Sequence, residues 1–416
     1  MQKQLEYQLS RLKEKLWVRP LLFCIISIGV ALLAHFADTT DLDKIVPNVK
    51  RESITELLTT ISASMLVIAI FAVGSMVSAY NAASSSATPR SFSLIIADDV
   101  SKNALSVFIG SFIYAIVGTV ALQNSYYGKA GKFVLLIITL LIFALVITTF
   151  LRWMQRIARL GRLEHTIEKI ETAAAGAITK YKGDPYKGGV AVIVEAGHGV
   201  AVMSTETGYI QLINTDRLQV LANEIEVIIV VQHLPGKFIT THEPLVKIKG
   251  LKTNMNEKQK KQINKAFTIK NTRYFDDDPR FGLIALTEVA SRALSPAVND
   301  PGTAIAILGN HVRLFSLFYQ PVKNLPHEKP PCSRIEMPLL LQDDFFDDAF
   351  RPIARDGAGN IEVMVRFQKA LQLIAAGGDD ECKRLANHHA QQAFKRAELA
   401  LVLPDDVETL RKVCAF

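Results

Sequence analysis

The chain has 416 residues, of which 49% are hydrophobic, and its 47 basic and 40 acidic residues give a net charge of +7. With a positive mean hydropathy of +0.21, it is too apolar for an ordinary soluble protein, which indicates membrane spans. We attribute the positive charge mainly to basic residues beside the membrane, so we expect no nucleic-acid partner.

Residues 1–16 are predicted to form an amphipathic basic helix. Leu5, Leu9, Leu12 and Leu16 recur at helical spacing, opposite lysine and arginine side chains. Such a helix can lie on an anionic lipid surface, which we favour, or it can pack against a neighbouring subunit.

Residues 17–152 are predicted to form a four-helix transmembrane domain. The predicted spans are Trp17–Ala37, Leu57–Tyr80, Ala104–Leu122 and Phe133–Leu151. Each has about twenty apolar or small residues, enough to cross a hydrocarbon core of ~30 Å at ~1.5 Å per residue. The interiors of these spans contain no Asp, Glu, Lys or Arg. A proton-coupled transporter and a voltage sensor both need such groups, so both are disfavoured.

The loop charges predict the orientation of the spans. Basic residues expected on one side are Lys3, Arg11, Lys13, Lys15, Arg19, Arg90, Lys102, Arg152, Arg156, Arg159 and Arg162, and those on the other are Lys44, Lys50, Arg51, Lys129 and Lys132. The side with more basic residues is expected to be cytoplasmic. We therefore predict a multi-pass protein of the bacterial inner membrane, embedded in the lipid bilayer, with both termini in the cytoplasm.

Small and hydroxyl residues share one face in each of two spans. They are Ser75, Ser78, Ala82 and Ser85 at the end of the second span, and Ser106, Gly110, Tyr114 and Gly118 in the third. Such a face allows close helix packing. It can also line a water-filled path, and the candidate path-lining residues are then Ser75, Ser78, Ser85, Ser106 and Gly110. Both interpretations stay open.

The rest of the chain is predicted to be a cytoplasmic α+β region. Residues 153–188 continue the fourth span as a helix that ends near Lys182–Pro185. Residues 189–252 contain short Val- and Ile-rich runs, LQVLA among them, separated by Gly, Pro and Asn, which predicts a small β-barrel or sandwich of about six strands. Residues 253–416 are predicted to form a mainly helical domain. The expected fold class is thus an integral membrane α-helical bundle of four transmembrane helices followed by this α+β region.

The stretch RALSPAVNDPGTAIAIL is predicted to be a corner between two helices. Asp278-Pro279 and Asp300-Pro301 each place a side-chain acceptor at an N-cap and proline at the first helical position. Pro296 cannot continue the first helix. LSPAVND is therefore a tight connection between two apolar helices, too short to re-enter the membrane.

Polar residues surround this corner, namely Arg292, Ser295, Asn299, Asp300 and Thr303. One interpretation is capping, in which Asp300 accepts hydrogen bonds from amides of the second helix. The alternative is a ligand site, in which Arg292 and the helix N-terminus hold an anion or a small polar ligand. Asp300 would repel an anion, which favours capping.

Several strings resemble an uncharacterised family of predicted bacterial membrane proteins, the domain of unknown function number 2254. They are RALSPAVNDPGTA, DDDPRFGL, GYIQLI, PGKF and SATPRSF, and the resemblance covers nearly the entire chain. It implies a multi-span inner-membrane protein and brings no assigned activity.

No motif in the sequence provides catalytic chemistry. A Walker loop, G-x-G-x-x-G, G-x-S-x-G and H-E-x-x-H are all missing, and the four cysteines match no zinc spacing. The acidic clusters fit helix caps better than a metal site. We therefore expect no enzyme, no cofactor and no metal.

Two functional hypotheses remain. The first, which the polar end of the second span favours, is an oligomeric channel or conduit with a cytoplasmic assembly and sensing region, passing a small ion. The second is a non-conducting, membrane-anchored sensor or scaffold that binds a cytoplasmic partner or ligand. A homo-oligomer is expected in the first case.

Overall fold

A computed structural model describes residues 17–91, 93–94, 99–192, 199–251, 255–321 and 330–414, with the backbone alone at residues 41, 43, 84–86 and 160. The predicted N-terminal helix, residues 1–16, lies outside the described residues. The chain divides into two compact units between Thr166 and Ile167. We refer to them as the N-terminal and C-terminal units.

The N-terminal unit contains four long apolar helices, as the sequence predicted. They are α1 (Val18–Leu33), α2 (Arg51–Ser86), α3 (Asp99–Gln123) and α4 (Lys129–Leu160). All four are long and apolar enough to cross a membrane, when α1 is taken together with the short 3-10 turn that follows it. The last three predicted spans lie within these helices, and the first, Trp17–Ala37, covers α1 and part of the 3-10 turn after it. The prediction of four helices long and apolar enough to span a membrane is confirmed.

Helix α3 lies at the centre of the bundle. Of its apolar window 56% is buried, compared with 17% to 28% in the other three. Gly110 lies against Phe23 and Ser27 of α1, which leaves little room for a side chain. The Tyr114 hydroxyl donates a hydrogen bond to the Leu135 carbonyl of α4 at 3.2 Å. The small-residue face of α3 therefore serves helix packing within one chain.

The start of α3 carries a lysine that is more deeply placed than the loop prediction implied. Lys102 lies on the helix and is only 1% exposed. Arg19 of α1 contacts Asp99 at 2.7 Å and donates to the Asn103 side chain at 2.7 Å. The predicted spans omitted Lys102 because α3 begins earlier than the apolar run does.

The N-terminus of α4 is capped by a residue from far away in the sequence. The two carboxylate oxygens of Asp38 accept hydrogen bonds from the amides of Gly128 and Gly131, each at 2.7 Å. This contact gives a hydrogen-bond acceptor to amides that have none within the helix. It also ties the first loop to the fourth helix.

The predicted continuous helix after the fourth span is interrupted. Helix α4 ends at Leu160, and α5 (Leu163–Gly183) begins after a break of two residues. Gly161 packs at the break, where a Cβ would lie 3.4 Å from the Ala82 Cβ and 3.7 Å from the Ala79 Cα. Glycine is a poor helix former, and this close approach to α2 suits it.

The strands of the C-terminal unit form two sheets. The strands are β1 (Val190–Ala191), β2 (Val200–Met203), β3 (Gly208–Ile213), β4 (Ile228–Val231), β5 (Phe238–Ile239), β6 (Pro244–Lys249), β7 (Phe267–Lys270) and β8 (Ile335–Met337). One sheet has the order β1-β8-β4-β6-β2 and the other β5-β3-β7. The sequence predicted a barrel or a sandwich, and within the described residues the strands do not close into a barrel.

Helices interrupt the predicted run of strands. LQVLA, predicted as a strand, lies in α6 (Thr215–Glu224). The Asn214 side chain caps this helix by accepting from the Arg217 amide at 3.0 Å. Leu218, Leu221 and Ala222 are buried at the i, i+3, i+4 spacing of a helix. They share one core with both sheets and with Ile263 of α7 (Glu257–Asn264).

The larger sheet takes a strand from late in the sequence. β8 pairs in parallel with β1 on one side and with β4 on the other. It has only three residues, all buried. β7 and β8 both lie beyond residue 252, in the part predicted to be mainly helical.

Six helices form the remainder of the C-terminal unit. They are α8 (Pro279–Ala293), α9 (Pro301–Tyr319), α10 (Gln342–Asp356), α11 (Ile361–Gly377), α12 (Asp380–Ala400) and α13 (Pro404–Val413). Phe315, Phe345, Phe346, Phe350 and Phe367 form a fully buried aromatic core between them. Rings such as Phe315 and Phe346 pack edge to face, with centroids 4.8 Å apart.

Candidate functional site at the two ends of helix α8

The start of α8 is built around a buried ion pair. Asp278 is 1% exposed and caps the helix, accepting from the Arg280 amide at 3.2 Å. Its two carboxylate oxygens accept from Arg273 Nε at 2.7 Å and from a second Arg273 nitrogen at 2.9 Å. Burial raises the pKa of Asp278, and the bidentate contact with Arg273 opposes that rise. Removing either partner would leave a charge without compensation.

The neighbouring carboxylate, Asp277, binds two lysines. Its Oδ1 lies 2.6 Å from Lys187 Nζ and 3.1 Å from Lys180 Nζ. Burial alone would raise the pKa of Asp277, but the two lysines hold it below its usual value. Lys180 belongs to α5, so this cluster joins the start of α8 to the helix that follows the fourth span.

Gly282 brings α5 and α8 into close contact. A Cβ at Gly282 would overlap the Ala174 Cβ on α5. On α9, Arg313 holds Glu171 through two hydrogen bonds of 2.6 and 2.9 Å, and Asn310 adds a third at 2.7 Å. The three contacts fix α5 along α8 and α9.

The end of α5 binds the end of α9. Lys182 Nζ donates to the Leu317 carbonyl and, at 2.6 Å, to the Gln320 carbonyl. These carbonyls lie where a helix has unpaired acceptors and a negative dipole end, so a lysine is favourable there.

The PGKF string also reaches the start of α8. Gly236 has a φ of +93°, a conformation that suits glycine, and a Cβ there would overlap the Asp278 carboxylate. The Gly236 amide donates to the Ile210 carbonyl of GYIQLI at 2.8 Å. The Gln211 side chain of the same strand donates to the Thr272 carbonyl at 2.6 Å. DDDPRFGL, PGKF and GYIQLI, far apart in sequence, therefore meet at one junction.

Acidic residues of α10 complete this junction. Arg280 Nε contacts Asp348 Oδ2 at 2.6 Å, and another Arg280 nitrogen contacts Asp344. Burial raises the pKa of Asp348, and Arg280 counteracts the effect. Sequence reasoning treated these carboxylates as solvated caps and gave no role to Arg273, Arg280, Lys180 or Lys187. The acidic and basic residues that stand together in DDDPR were the available signal, but a sequence does not show which residues they pair with.

The other end of α8 is exposed and satisfies its polar groups locally. Asp300 accepts from the Thr303 amide at 3.0 Å and the Thr303 hydroxyl at 2.5 Å, which lowers the pKa of Asp300. The Ser295 hydroxyl donates to the Arg292 carbonyl at 2.7 Å. Asn299 has a φ of +49°, which Asn tolerates better than most residues. The structure thus gives Ser295, Asn299, Asp300 and Thr303 turn or capping geometry, and Arg292 is exposed.

The candidate path-lining residues that the structure describes differ in their burial. Ser106 and Gly110 are buried inside the bundle on α3, and the Ser106 hydroxyl donates to the Lys102 carbonyl at 2.7 Å. On α2, Ser75 is half-buried and Ser78 is exposed. The Ser85 side chain is outside what the structure describes.

One open groove lies elsewhere on the bundle. It has a volume of about 320 Å³ and lies between α1 and the last turns of α3. Its lining is apolar, with Leu32, Ile116 and Val120 among the contributing residues. None of the candidate path residues lines it.

Potential metal ligands do not cluster in the described parts of the chain. No group of three or more His, Cys, Asp or Glu side chains there could hold a metal ion. The carboxylates at the start of α8 face lysine and arginine instead. The chemistry of this junction is therefore charge pairing.

Comparison with known proteins gives one match. The model of the family described as predicted membrane protein, DUF2254, matches residues 13–373. No curated protein and no solved structure matches the chain.

Proposed function

The chain belongs to the DUF2254 family of predicted membrane proteins, and we propose that it is a membrane-anchored sensor or scaffold rather than an enzyme. Its C-terminal unit binds a cytoplasmic partner or ligand, and its four spans lie in a bacterial inner membrane. The excess of basic residues among the loop residues expected on one side of the membrane supports the cytoplasmic orientation of both termini.

The attachment of α5 carries this proposal. This helix follows the fourth span after a break of two residues. From Glu171 to Lys182 it is fixed to α8 and α9 by ion pairs, by the close Gly282 contact and by the cap on α9. A movement of α5 would therefore be transmitted to the junction at the start of α8. A plain tether would need none of these contacts.

The packing of the bundle weighs against a path through a single chain. Phe108, Tyr114 and Trp153 are fully buried in its core. Trp153 packs edge to face on Phe108, with ring centroids 6.2 Å apart. A core filled in this way favours close packing over a channel between the described helices.

The length of α2 offers another explanation for its polar end. The helix has 36 residues, whereas a hydrocarbon core takes about twenty. Its charges at Arg51, Glu52 and Glu56 place the apolar stretch after residue 56. About twenty residues then reach the vicinity of Met76. Ser78, in the last turn of the predicted span, then lies at the water-facing end of the helix. A helix end in water is expected to be polar.

The conduit is the second candidate function, and one observation favours it. Ser78 is exposed, and a Cβ at Gly74, one turn earlier, would meet no atom within 4 Å. A path would then run between copies of the chain and would require a homo-oligomer.

Cysteine labelling distinguishes the two candidates, because Ser78 and Val77 are both exposed and point in different directions. We would compare Ser78→Cys and Val77→Cys in membranes, with Cys24 and Cys414 replaced by serine, using a charged impermeant thiol reagent. A helix end in water predicts that both react. A lined path predicts that Ser78→Cys reacts while Val77→Cys, in lipid, is protected.

An ion-flux measurement on vesicles containing the purified protein completes the test. The anchored sensor predicts the flux of protein-free vesicles. Flux above that level, lowered or raised by Ser78→Leu and accompanied by protection of Val77→Cys, would overturn the proposal in favour of the conduit.

A further inference from the structure

Leu399, Val402 and Leu403 form an apolar tip between α12 and α13. Their side chains are 90%, 97% and 54% exposed. Within the described C-terminal unit, Leu399 and Val402 are the most exposed large apolar residues. Each large apolar side chain left in water forgoes a substantial gain from burial. Three such neighbours indicate a surface that another molecule covers.

The tip is held by ordered packing and is not a frayed helix end. The Leu401 amide donates to the Ala397 carbonyl at 2.8 Å. Glu398 on α12 pairs with Arg411 on α13 at 3.2 Å, and Leu410 is fully buried. The two helices therefore present the tip in a fixed position.

The charges on the two flanks of the tip have opposite signs. Lys395 and Arg396 lie on α12, one turn before Leu399. Asp405 and Asp406 lie in the first turn of α13. None of the four side chains has an ion-pair partner among the residues that the structure describes.

We propose that the apolar tip is a contact between two copies of this chain, related by a two-fold axis close to Val402. In such a contact the same patch meets itself, so the basic flank of each copy faces the acidic flank of the other. Both pairs of flanks are then complementary, and the three apolar side chains are buried between them.

This occupant fits better than a lipid surface. An anionic membrane would attract Lys395 and Arg396 but repel Asp405 and Asp406, which lie next to the apolar residues. The tip is smaller than the ~800 Å² per partner of a standard interface. Copies held in the same membrane need less area because their effective concentration is high. The inference does not depend on the proposed sensor function.

Cross-linking of the full-length protein in membranes tests the contact. Val402→Cys, with Cys24 and Cys414 replaced by serine, should form covalent dimers with a short bis-maleimide. Leu373→Cys is the matched control, because Leu373 is 63% exposed and lies on α11. We expect the dimer yield of Val402→Cys to exceed that of Leu373→Cys by at least about tenfold. This is the ratio expected when the contact raises the association constant about tenfold.

Charge reversal provides the sharper test. Variant A carries Lys395→Glu and Arg396→Glu, and variant B carries Asp405→Lys and Asp406→Lys, each in the Val402→Cys background. Alone, each variant juxtaposes like charges twice, and its dimer yield should fall by at least about tenfold. Co-expressed with different tags, A and B should form the mixed dimer at the original yield, since both of its flank contacts are complementary.

Three results would overturn the inference. The first is equal cross-linking of Val402→Cys and Leu373→Cys. The second is a mixed dimer no more abundant than the dimers of A or B alone. The third is quenching of a fluorophore on Val402→Cys by brominated lipid in nanodiscs that hold one chain each, which would assign the tip to the bilayer.

Discussion

The corners at the two ends of helix α8 contain the same sequence pattern, Asp-Pro at a helix start, and use it differently. Asp278-Pro279 starts α8 itself, and Asp300-Pro301 starts α9. At Asp278 the capping carboxylate is buried and paired with Arg273. At Asp300 the capping carboxylate is half-buried and bonds only to Thr303 and its neighbours. The first end joins α5, α10 and the PGKF loop, whereas the second closes a turn.

The difference shows that a specific string need not mark a binding site. RALSPAVNDPGTA is the most distinctive string in the chain, yet its polar groups are largely accounted for by a turn and a cap. The shorter DDDPRFGL carries the contacts that hold distant elements together. We therefore expect substitutions at the first end to cost far more than substitutions at the second.

The largest effect is expected from Asp278→Ala. It leaves Arg273 uncompensated in a site where that side chain is only 16% exposed, and such losses cost about 3–5 kcal/mol. The free energy of unfolding can be measured on the full-length protein in detergent, from the alkylation of buried Cys332 and Cys382 in urea. Asp276→Ala, at an exposed position of the same string, is the control and should change it by less than about 0.5 kcal/mol. Equal effects would refute the buried-pair interpretation.

Two buried histidines packed among the helices around α8, His311 on α9 and His389 on α12, should make stability depend on pH. The Thr287 hydroxyl lies 3.1 Å from His311 Nε2, and His311 is fully buried. Burial lowers the pKa of His311 to about 3 and that of His389 to about 4. Below pH ~6.5, the ordinary histidine pKa, the unfolded chain binds more protons than the folded one.

The free energy of unfolding should therefore have its full value above pH ~6.5. As the pH decreases towards 4, it should fall by up to about 1.4 kcal/mol per pH unit for each histidine. His389→Gln should reduce this slope, and the exposed neighbour His388→Gln should not. A flat profile of Cys382 alkylation midpoints between pH 6.5 and 5 would contradict the assignment.

The close contact of α5 and α8 predicts opposite signs for two glycine substitutions. Gly282→Ala places a methyl group against Ala174, and such overpacking costs about 1–3 kcal/mol. Gly176→Ala, on exposed α5 surface with no atom within 4 Å, should stabilise the helix by roughly 0.5–1 kcal/mol. Cys332 and Cys382 alkylation in urea again measures both. A stabilising Gly282→Ala would mean that α5 is not fixed as described.

The smallest effects belong to the exposed end of α8. Asp300→Ala removes a cap and should cost on the order of 1 kcal/mol, while Asp300→Asn or Asp300→Ser should be tolerated. Arg292→Ala should change the free energy of unfolding by less than about 0.5 kcal/mol. A complete loss of function in Asp300→Asn with unchanged unfolding would instead identify the corner as a ligand site.

The sequence alone predicted the local features of this protein. Four apolar runs of about twenty residues gave the four long helices, because length and hydropathy suffice to identify a possible span. Asp278-Pro279 and Asp300-Pro301 gave the starts of α8 and α9, because capping depends on neighbouring residues.

Only the tertiary structure decided which distant residues meet. β8 becomes a strand because it fits between β1 and β4, and a run of three residues carries no periodicity that could predict this. LQVLA becomes a helix because its apolar face covers the sheets. The contacts that fix α5 to α8 and α9 involve Glu171, Lys180 and Gly282, and each has its partner in a distant part of the sequence. Such partners are chosen by packing and charge in three dimensions, which the order of residues along the chain does not reveal.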